Sequence, residues 1–397
     1  MFSQHNGDNM LAIVLSGGGA KGAYEMGVWK ALRRLRIKYQ IITGTSIGAL
    51  NGMLMVQNDF YKCLKMWKNI NYDMIYDNFG NVKTTQEMYL AYLNKIIDGG
   101  IDTEKIERLI EENYRPNKIY KSKIQFGVVA YSLKSRKVIY ATKKNTRPDK
   151  LKKYILASAT CFPVFKPTKI GTDTLIDGGY YDNLPINLAI DLGATEIIAV
   201  DLGSIGFRKR VRNKGIKITY IEPNNKLDSF LMFDSNVTKR MINLGYNDTM
   251  KVFKRLEGNL YTFKKGSINN LYYKNKSKIL EICEKLDYVG NFKDFYNLKE
   301  PIKKFNQIVE DTLEIFKIPV DKVYNSRNIN KYLFEELDKT DTVEFDKFEL
   351  DEIKKMFNSA IITKYIYLKL KDCDKINIVF NFFPKEFASA IYLLAVR

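Results

Sequence analysis

The hydrophobic positions near the start of the chain fall into short unbroken runs instead of alternating with polar ones. Leu11-Ala12-Ile13-Val14-Leu15 is apolar throughout, as expected of a strand buried on both faces of a parallel sheet. Gln40-Ile41-Ile42-Thr43 is a second such run, short and β-branched. Between them Tyr24, Val28, Ala31, Leu32 and Leu35 recur at helical spacing and predict a helix from Ala23 to about Leu35. Ala49 to Val56 has the composition of a buried helix. Strand, glycine loop, helix, strand, turn, helix is an α/β beginning.

Further along, Phe60, Cys63, Leu64, Trp67 and Ile70 share one helical face, and Met88, Tyr89, Tyr92, Leu93, Ile96 and Ile97 another. Asp102-Thr103-Glu104 starts a helix with acidic residues in its first turn. Ile124 to Ala130 and Val138 to Thr142 flank a polar turn and read as a hairpin. Leu151 to Ala159 reads as a short helix, Thr174 to Ile176 as a strand, and Ile186 to Leu192 as a helix. Glu196 to Val200 and Ile216 to Ile221 are two more strands, with the basic loop Arg208-Lys209-Arg210-Val211-Arg212-Asn213-Lys214 between them. Asp234 to Leu256 predicts one long helix closed by Gly258. The division expected is a catalytic domain over 8–262 and a mainly helical region over 266–397.

Composition narrows the class. At 397 residues, with 45% hydrophobic and 13% aromatic content, the chain can build real cores and is not generally disordered. Cys63, Cys161, Cys283 and Cys373 show no paired spacing, so they are expected to be reduced thiols rather than a zinc site or a disulfide framework. The polar N-terminus does not read as a signal peptide, and no apolar run approaches the roughly 20 residues that span a bilayer. A cytoplasmic protein is expected, peripheral at the membrane at most. The net charge is +19, and basic and acidic residues nearly balance from Gly266 onward, so the excess lies in the first part. Lys143-Lys144 and Arg208 to Lys214 could attract anionic headgroups. Charge alone would also attract nucleic acid, but no nucleic-acid motif accompanies it, so that partner is not expected. The apolar Phe387 to Val396 reads as a core helix rather than a membrane anchor.

The chemistry concentrates at two glycine-flanked turns. Gly44-Thr45-Ser46-Ile47-Gly48 joins a strand to a helix with Gly two residues either side of a Ser, the pattern of a nucleophile elbow. A Ser there takes a strained backbone to expose its hydroxyl, and side chains at the glycines would clash. The first strand runs into Ser16-Gly17-Gly18-Gly19-Ala20-Lys21-Gly22. Gly17, Gly19 and Gly22 satisfy the dinucleotide spacing, but the acidic residue expected about 20 positions on is missing, and the Walker pattern fails as well. Consecutive glycines beside a helix N-terminus expose N–H groups to an anion, which in an acyl-transfer enzyme is the oxyanion.

A Ser nucleophile needs a base, and the single His, His5, lies in the polar tail. The base is then a carboxylate or a lysine. Asp177 in Asp177-Gly178-Gly179 stands at a strand end and is the better candidate; Lys21 is the weaker one, since nothing in the sequence marks it as desolvated. Asp182 and Asn183 could cap the helix entered at Pro185.

These blocks, with Ala157-Ser158-Ala159-Thr160-Cys161-Phe162-Pro163, resemble in order those of the patatin-like phospholipase family. The resemblance spans roughly residues 8 to 260 and implies a three-layer α/β sandwich with a mostly parallel central sheet flanked by helices. It implies a Ser–Asp dyad on Ser46 and Asp177 and oxyanion-hole glycines at Gly17, Gly18 and Gly19. Lys21, where the family carries Arg or Lys, becomes a substrate or anion contact. Lipid acyl hydrolysis through an acyl-Ser46 intermediate follows, with no metal or other cofactor expected. The dyad does not specify the leaving group, so an esterase or thioesterase acting on soluble substrates is the near alternative. A non-catalytic phosphate- or nucleotide-binding module is the distant one.

Overall fold

The two unbroken apolar runs become neighbouring central strands, because a segment without a polar face satisfies its backbone only inside a sheet covered on both sides. In the computed structural model the described residues are 10–76, 85–286, 300–345, 348–372 and 382–397; His5 and Cys373 lie outside them. The first compact unit is Met1–Val252. Its elements open with Leu11–Leu15 (β1), Gly22–Arg34 (α1), Ile41–Thr45 (β2), Ile47–Val56 (α2), Phe60–Asn69 (α3) and Thr85–Ile97 (α4). Glu104–Asn113 (α5), Pro116–Lys121 (α6), Gln125–Ser132 (β3), Lys137–Thr142 (β4) and Pro148–Ala159 (α7) follow. Thr168–Ile170 (β5), Asp173–Asp177 (β6), Ile186–Asp191 (α8), Glu196–Val200 (β7), Lys217–Ile221 (β8) and Ser235–Val252 (α9) complete the unit.

Among the described residues these strands make one eight-stranded sheet in the order β5-β6-β3-β2-β1-β7-β8, with β4 paired to β3. The strands β3, β2, β1, β7 and β8 run parallel, while β4 and β6 are antiparallel to β3. Helix α8 covers one face, where Ile186 and Ala189 pack with Ala12, Val14, Ile41, Ile197 and Ala199. Helix α2 covers the other, with Gly52 facing Phe126 and Ile42. This is a three-layer α/β arrangement with a mostly parallel central sheet.

Register decides what meets at the end of the sheet. Thr45, the last residue of β2, pairs with Val129 on β3. The next residue of β3, Ala130, pairs with Asp177, the last residue of β6. Ser46 and Asp177 therefore emerge on either side of one strand. On the other flank, Leu15 at the end of β1 lies between Gly44 of β2 and Val200 of β7. The glycine loop, the elbow and the segment after β7 thus leave the carboxyl ends of adjacent parallel strands, where α/β sheets bind ligands.

The second unit, Phe253–Arg397, begins with a small sheet of Leu256–Glu257 (β9), Thr262–Lys264 (β10) and Val323–Tyr324 (β11). The helices Ser267–Lys285, Pro301–Ile315, Ser359–Lys371 and Pro384–Val396 contribute to its core, which includes Phe263, Phe305, Ile391 and Tyr392. The apolar C-terminal helix is a core helix, and among the described residues no helix is long and apolar enough to cross a membrane.

Three expectations change. The long helix ends at Val252 instead of Leu256, because Lys254 turns into the left-handed region and Leu256–Glu257 pairs with β10. The apolar stripe on α4 is only partly buried: Tyr92 is covered, whereas Ile97 is 81% exposed. The helix expected over Leu151 to Ala159 begins earlier, at Pro148, whose fixed φ suits the first helical position.

Candidate active site

Ser46 sits at the junction of β2 and α2 with φ 56 and ψ −125, a conformation that costs a non-glycine residue of order 1–3 kcal/mol. The surroundings enforce it. A Cβ on Gly44 would strike the backbone of Gly48 and Ala49, and one on Gly48 would lie 2.6 Å from the Leu15 carbonyl oxygen. The Ser46 N–H donates to Ser158 Oγ at 2.8 Å, and the Thr45 hydroxyl donates to the Asp182 carbonyl at 2.8 Å. Gly48→Ala is therefore expected to lower stability by at least a few kcal/mol, because the Leu15 backbone it would strike is held between β2 and β7; a urea melt checks this.

Asp177 enters from β6 and is buried. Its Oδ1 accepts the Gly179 N–H at 2.7 Å, so the Asp also caps its own turn. The Ser46 hydroxyl lies beside the same carboxyl group and favours its charged form. Burial pushes this carboxyl from the usual carboxylate range up to about 7, and the bonds from Ser46 and Gly179 only partly oppose the rise. A base poised there exchanges protons near neutral pH. Ser46 and Asp177 are thus in direct contact.

The glycine loop closes the third side. Gly17 donates its N–H to the Asn183 carbonyl at 3.1 Å, so this amide is occupied and cannot face an anion. Ala20 donates to the Phe230 carbonyl at 2.7 Å and Lys21 to the Gly18 carbonyl at 3.1 Å. The Gly18 and Gly19 N–H groups make no such bond among the described residues. Of the three glycines expected to form an oxyanion hole, Gly18 and Gly19 are the two whose N–H groups are free of such bonds. Gly17 instead lets the loop approach Ser46, since a Cβ there would lie 3.0 Å from Ser46 Cβ.

Lys21 borders the same cavity. Contrary to the sequence reading it is partly desolvated: burial, and then repulsion from Lys226, hold its ammonium below the usual lysine range. It remains a candidate anion contact, while the Ser46 hydroxyl is already engaged by Asp177. Asp182 and Asn183 do not cap α8, whose N-cap residue is Pro185 and which has no side-chain cap. The Asp182 carboxylate accepts from Tyr140 at 3.1 Å instead.

The site opens into a cavity of about 700 Å³, lined mostly by apolar side chains such as Met53, Leu54, Trp67, Tyr76, Phe165 and Phe233. Its aromatic wall is ordered, with Trp67 stacked on Phe233 at 6.5 Å and Tyr76 on Phe165 at 5.9 Å. Behind the wall a buried polar network fixes Trp67, whose Nε1–H donates to Asn51 Oδ1 at 2.9 Å; Asn51 in turn donates to Glu25 Oε2 at 2.8 Å. Burial holds the Glu25 carboxyl well above its ordinary range, against the opposing bonds from Asn51 and Ser16. Of these residues Ser158 lies in the Ala157–Pro163 stretch with no role legible there, Asn183 reads only as a helix cap, and Asn51 and Glu25 have no periodic or motif signal.

The basic stretches are less free than their composition suggests. Lys143 donates to the Ser122 carbonyl at 2.6 Å, Arg208 pairs with Asp201 at 2.7 Å, and Arg212 with Asp191 at 2.6 Å.

Residues 13–190 match the family model described as Patatin-like phospholipase. The chain is 29% identical over 203 residues to patatin-like phospholipase domain-containing protein 7 of Rattus norvegicus, covering 49% of this chain and 14% of that protein. It is 30% identical over 199 residues to lysophospholipase NTE1 of Debaryomyces hansenii, covering 50% of this chain and 12% of that protein. The chain thus spans about an eighth of the length of these curated relatives. Among solved structures it is similar to VipD from Legionella pneumophila, with a TM-score of 0.43 and 14% identity over 98% of this chain and 90% of that one.

Proposed function

Starting from a patatin-like phospholipase domain at residues 13–190, we propose that the protein is a lipid acyl hydrolase of the phospholipase A type. The observation that carries this reading is the contact between the Ser46 hydroxyl and the buried Asp177 carboxyl at the foot of a largely apolar cavity. Asp177 takes the hydroxyl proton as Ser46 Oγ attacks the ester carbonyl. The Gly18 and Gly19 N–H groups receive the oxyanion, a role in which one donor is worth about 10²- to 10³-fold in rate. The protonated Asp177 then gives its proton to the leaving alcohol, and the acyl group stays on Ser46. Water, deprotonated by Asp177, attacks that ester; fatty acid leaves and Ser46 recovers its proton.

The apolar lining supports an acyl chain as the occupant, since long-chain ligands are held by burial with only a few polar groups at one end. It argues against a phosphate- or nucleotide-binding module, which needs polar partners along the ligand. The relatives' names, a phospholipase domain and a lysophospholipase, agree with a glycerophospholipid or its lyso form as substrate. Mass spectrometry of products from mixed phospholipid vesicles tests this. Free fatty acid and the matching lyso or deacylated lipid are expected, and neither with Ser46→Ala. Cleavage of short soluble esters with untouched vesicles would replace the reading by an esterase.

A further inference from the structure

The mouth of the cavity carries the most exposed large apolar side chain of the described residues. Ile205 is 97% exposed and Phe207 68%, and both border the cavity that holds Ser46, as do the partly exposed Phe162 and Tyr180. Single exposed apolar groups are ordinary, but four around one opening form a patch.

The tip is held in place. Phe207 donates its N–H to the Gly179 carbonyl at 3.0 Å, and its carbonyl accepts from the Asn183 N–H at 2.6 Å. The Arg208 guanidinium grips Asp201 through two 2.7 Å bonds, while the Gly203 N–H donates to the same carboxylate at 3.0 Å. Gly203 and Gly206, with φ 60 and 153, turn the chain on either side of Ile205. The apolar side chains point to solvent although their backbone is stapled to the turn that bears Asp177.

Cations follow at once. Arg208 and Arg212 are paired with acids, and Lys209 lies 3.4 Å over the Tyr181 ring. Lys209 and Arg210 are exposed, the second and third residues after Phe207, and neither is in an ion pair among the described residues. An apolar tip beside unpaired cations is complementary to a surface that is apolar below and anionic at its boundary.

We propose that this rim docks on an anionic lipid bilayer, with Ile205 and Phe207 entering the boundary between headgroups and acyl chains while Lys209 and Arg210 meet anionic headgroups. The inference rests on the hydrolase reading and adds the face that meets the substrate. With the mouth on the bilayer, an acyl chain enters the cavity without crossing water.

The test uses the full chain carrying Ser46→Ala, so binding is read without hydrolysis and its failure is separate from failure of the hydrolase reading. Vesicles of phosphatidylcholine with phosphatidylserine are expected to retain this protein on sedimentation, less so as salt rises. Adding Ile205→Ser and Phe207→Ser is expected to weaken retention roughly tenfold or more. Adding Lys209→Glu and Arg210→Glu instead is expected to weaken it on the order of tenfold. Ile97→Ser, at an equally exposed position outside the rim, is expected to change nothing. Unfolding transitions show that each variant is folded, and the charge pair tests the surface even if the apolar pair does not fold. Equal retention of the parent and the folded rim variants would overturn the proposal. So would an equal loss with Ile97→Ser, or no retention of the parent, which would leave the rim to a protein partner.

Discussion

Replacing Ser46 by Ala is expected to lower fatty-acid release from phospholipid vesicles by at least about 10⁴-fold, since a nucleophile's loss removes the whole covalent route. The fold is expected to survive. Ala tolerates the positive φ of position 46 about as well as Ser does, and the bonds that hold the elbow come from backbone groups and from Thr45 and Ser158. The cavity keeps its shape, so lipid binding persists while turnover stops. Fatty-acid release within tenfold of the parent would remove Ser46 from the mechanism.

The second large effect belongs to Asp177 and has two readouts. Asp177→Asn is expected to lower turnover by about 10⁴-fold, because the amide accepts no proton. In the parent enzyme kcat/KM is expected to rise with pH through about 7, where the buried carboxyl ionises. Stability should move the other way. The carboxyl binds its proton more tightly in the folded chain than in the unfolded one, whose ordinary value is 3.8. Its contribution is therefore fully present below about pH 4 and is lost as pH rises through about 7. Above that pH the folded protein holds a buried carboxylate, and Asp177→Asn is expected to be more stable than the parent by an amount on the order of a few kcal/mol. Urea melts at pH 4 and pH 8 would show the difference at pH 8 and little of it at pH 4. An activity profile flat from pH 5 to 8, with no stability difference, would contradict the assigned environment.

The parts of this site that were legible in the sequence are those set by short stretches of chain. Leu11–Leu15 and Glu196–Val200 have the bounds their apolar runs suggest, because a strand apolar on both faces has one place to go. The elbow could be read because its glycines answer a local clash, Gly44 against Gly48, within five residues. What could not be read depends on partners far away in sequence. The Ser158 hydroxyl holds Ser46 from 112 residues away, and the Asp182 carbonyl holds Thr45 from 137.

The same distance explains the misreadings. Asp182 has the type and place of a helix cap, but Tyr140 takes its carboxylate across the sheet. Gly17 belongs to the glycine loop, yet its N–H is spent on Asn183, which no spacing rule connects to it. The basic loop read as a free positive segment because its acids, Asp191 and Asp201, stand outside it. Lys21 gave no sign of desolvation because Lys226 and the covering side chains arrive only on folding.

The central claim, that Ser46 carries the acyl group, is tested most directly by locating the covalent adduct. The full chain is treated with a long-chain fluorophosphonate, which phosphonylates an activated serine, then digested and read by mass spectrometry. A single adduct on the peptide containing Ser46, formed in step with the loss of fatty-acid release and absent from Ser46→Ala, is the predicted result. An adduct on another residue, or full fatty-acid release from protein completely modified at Ser46, would contradict it.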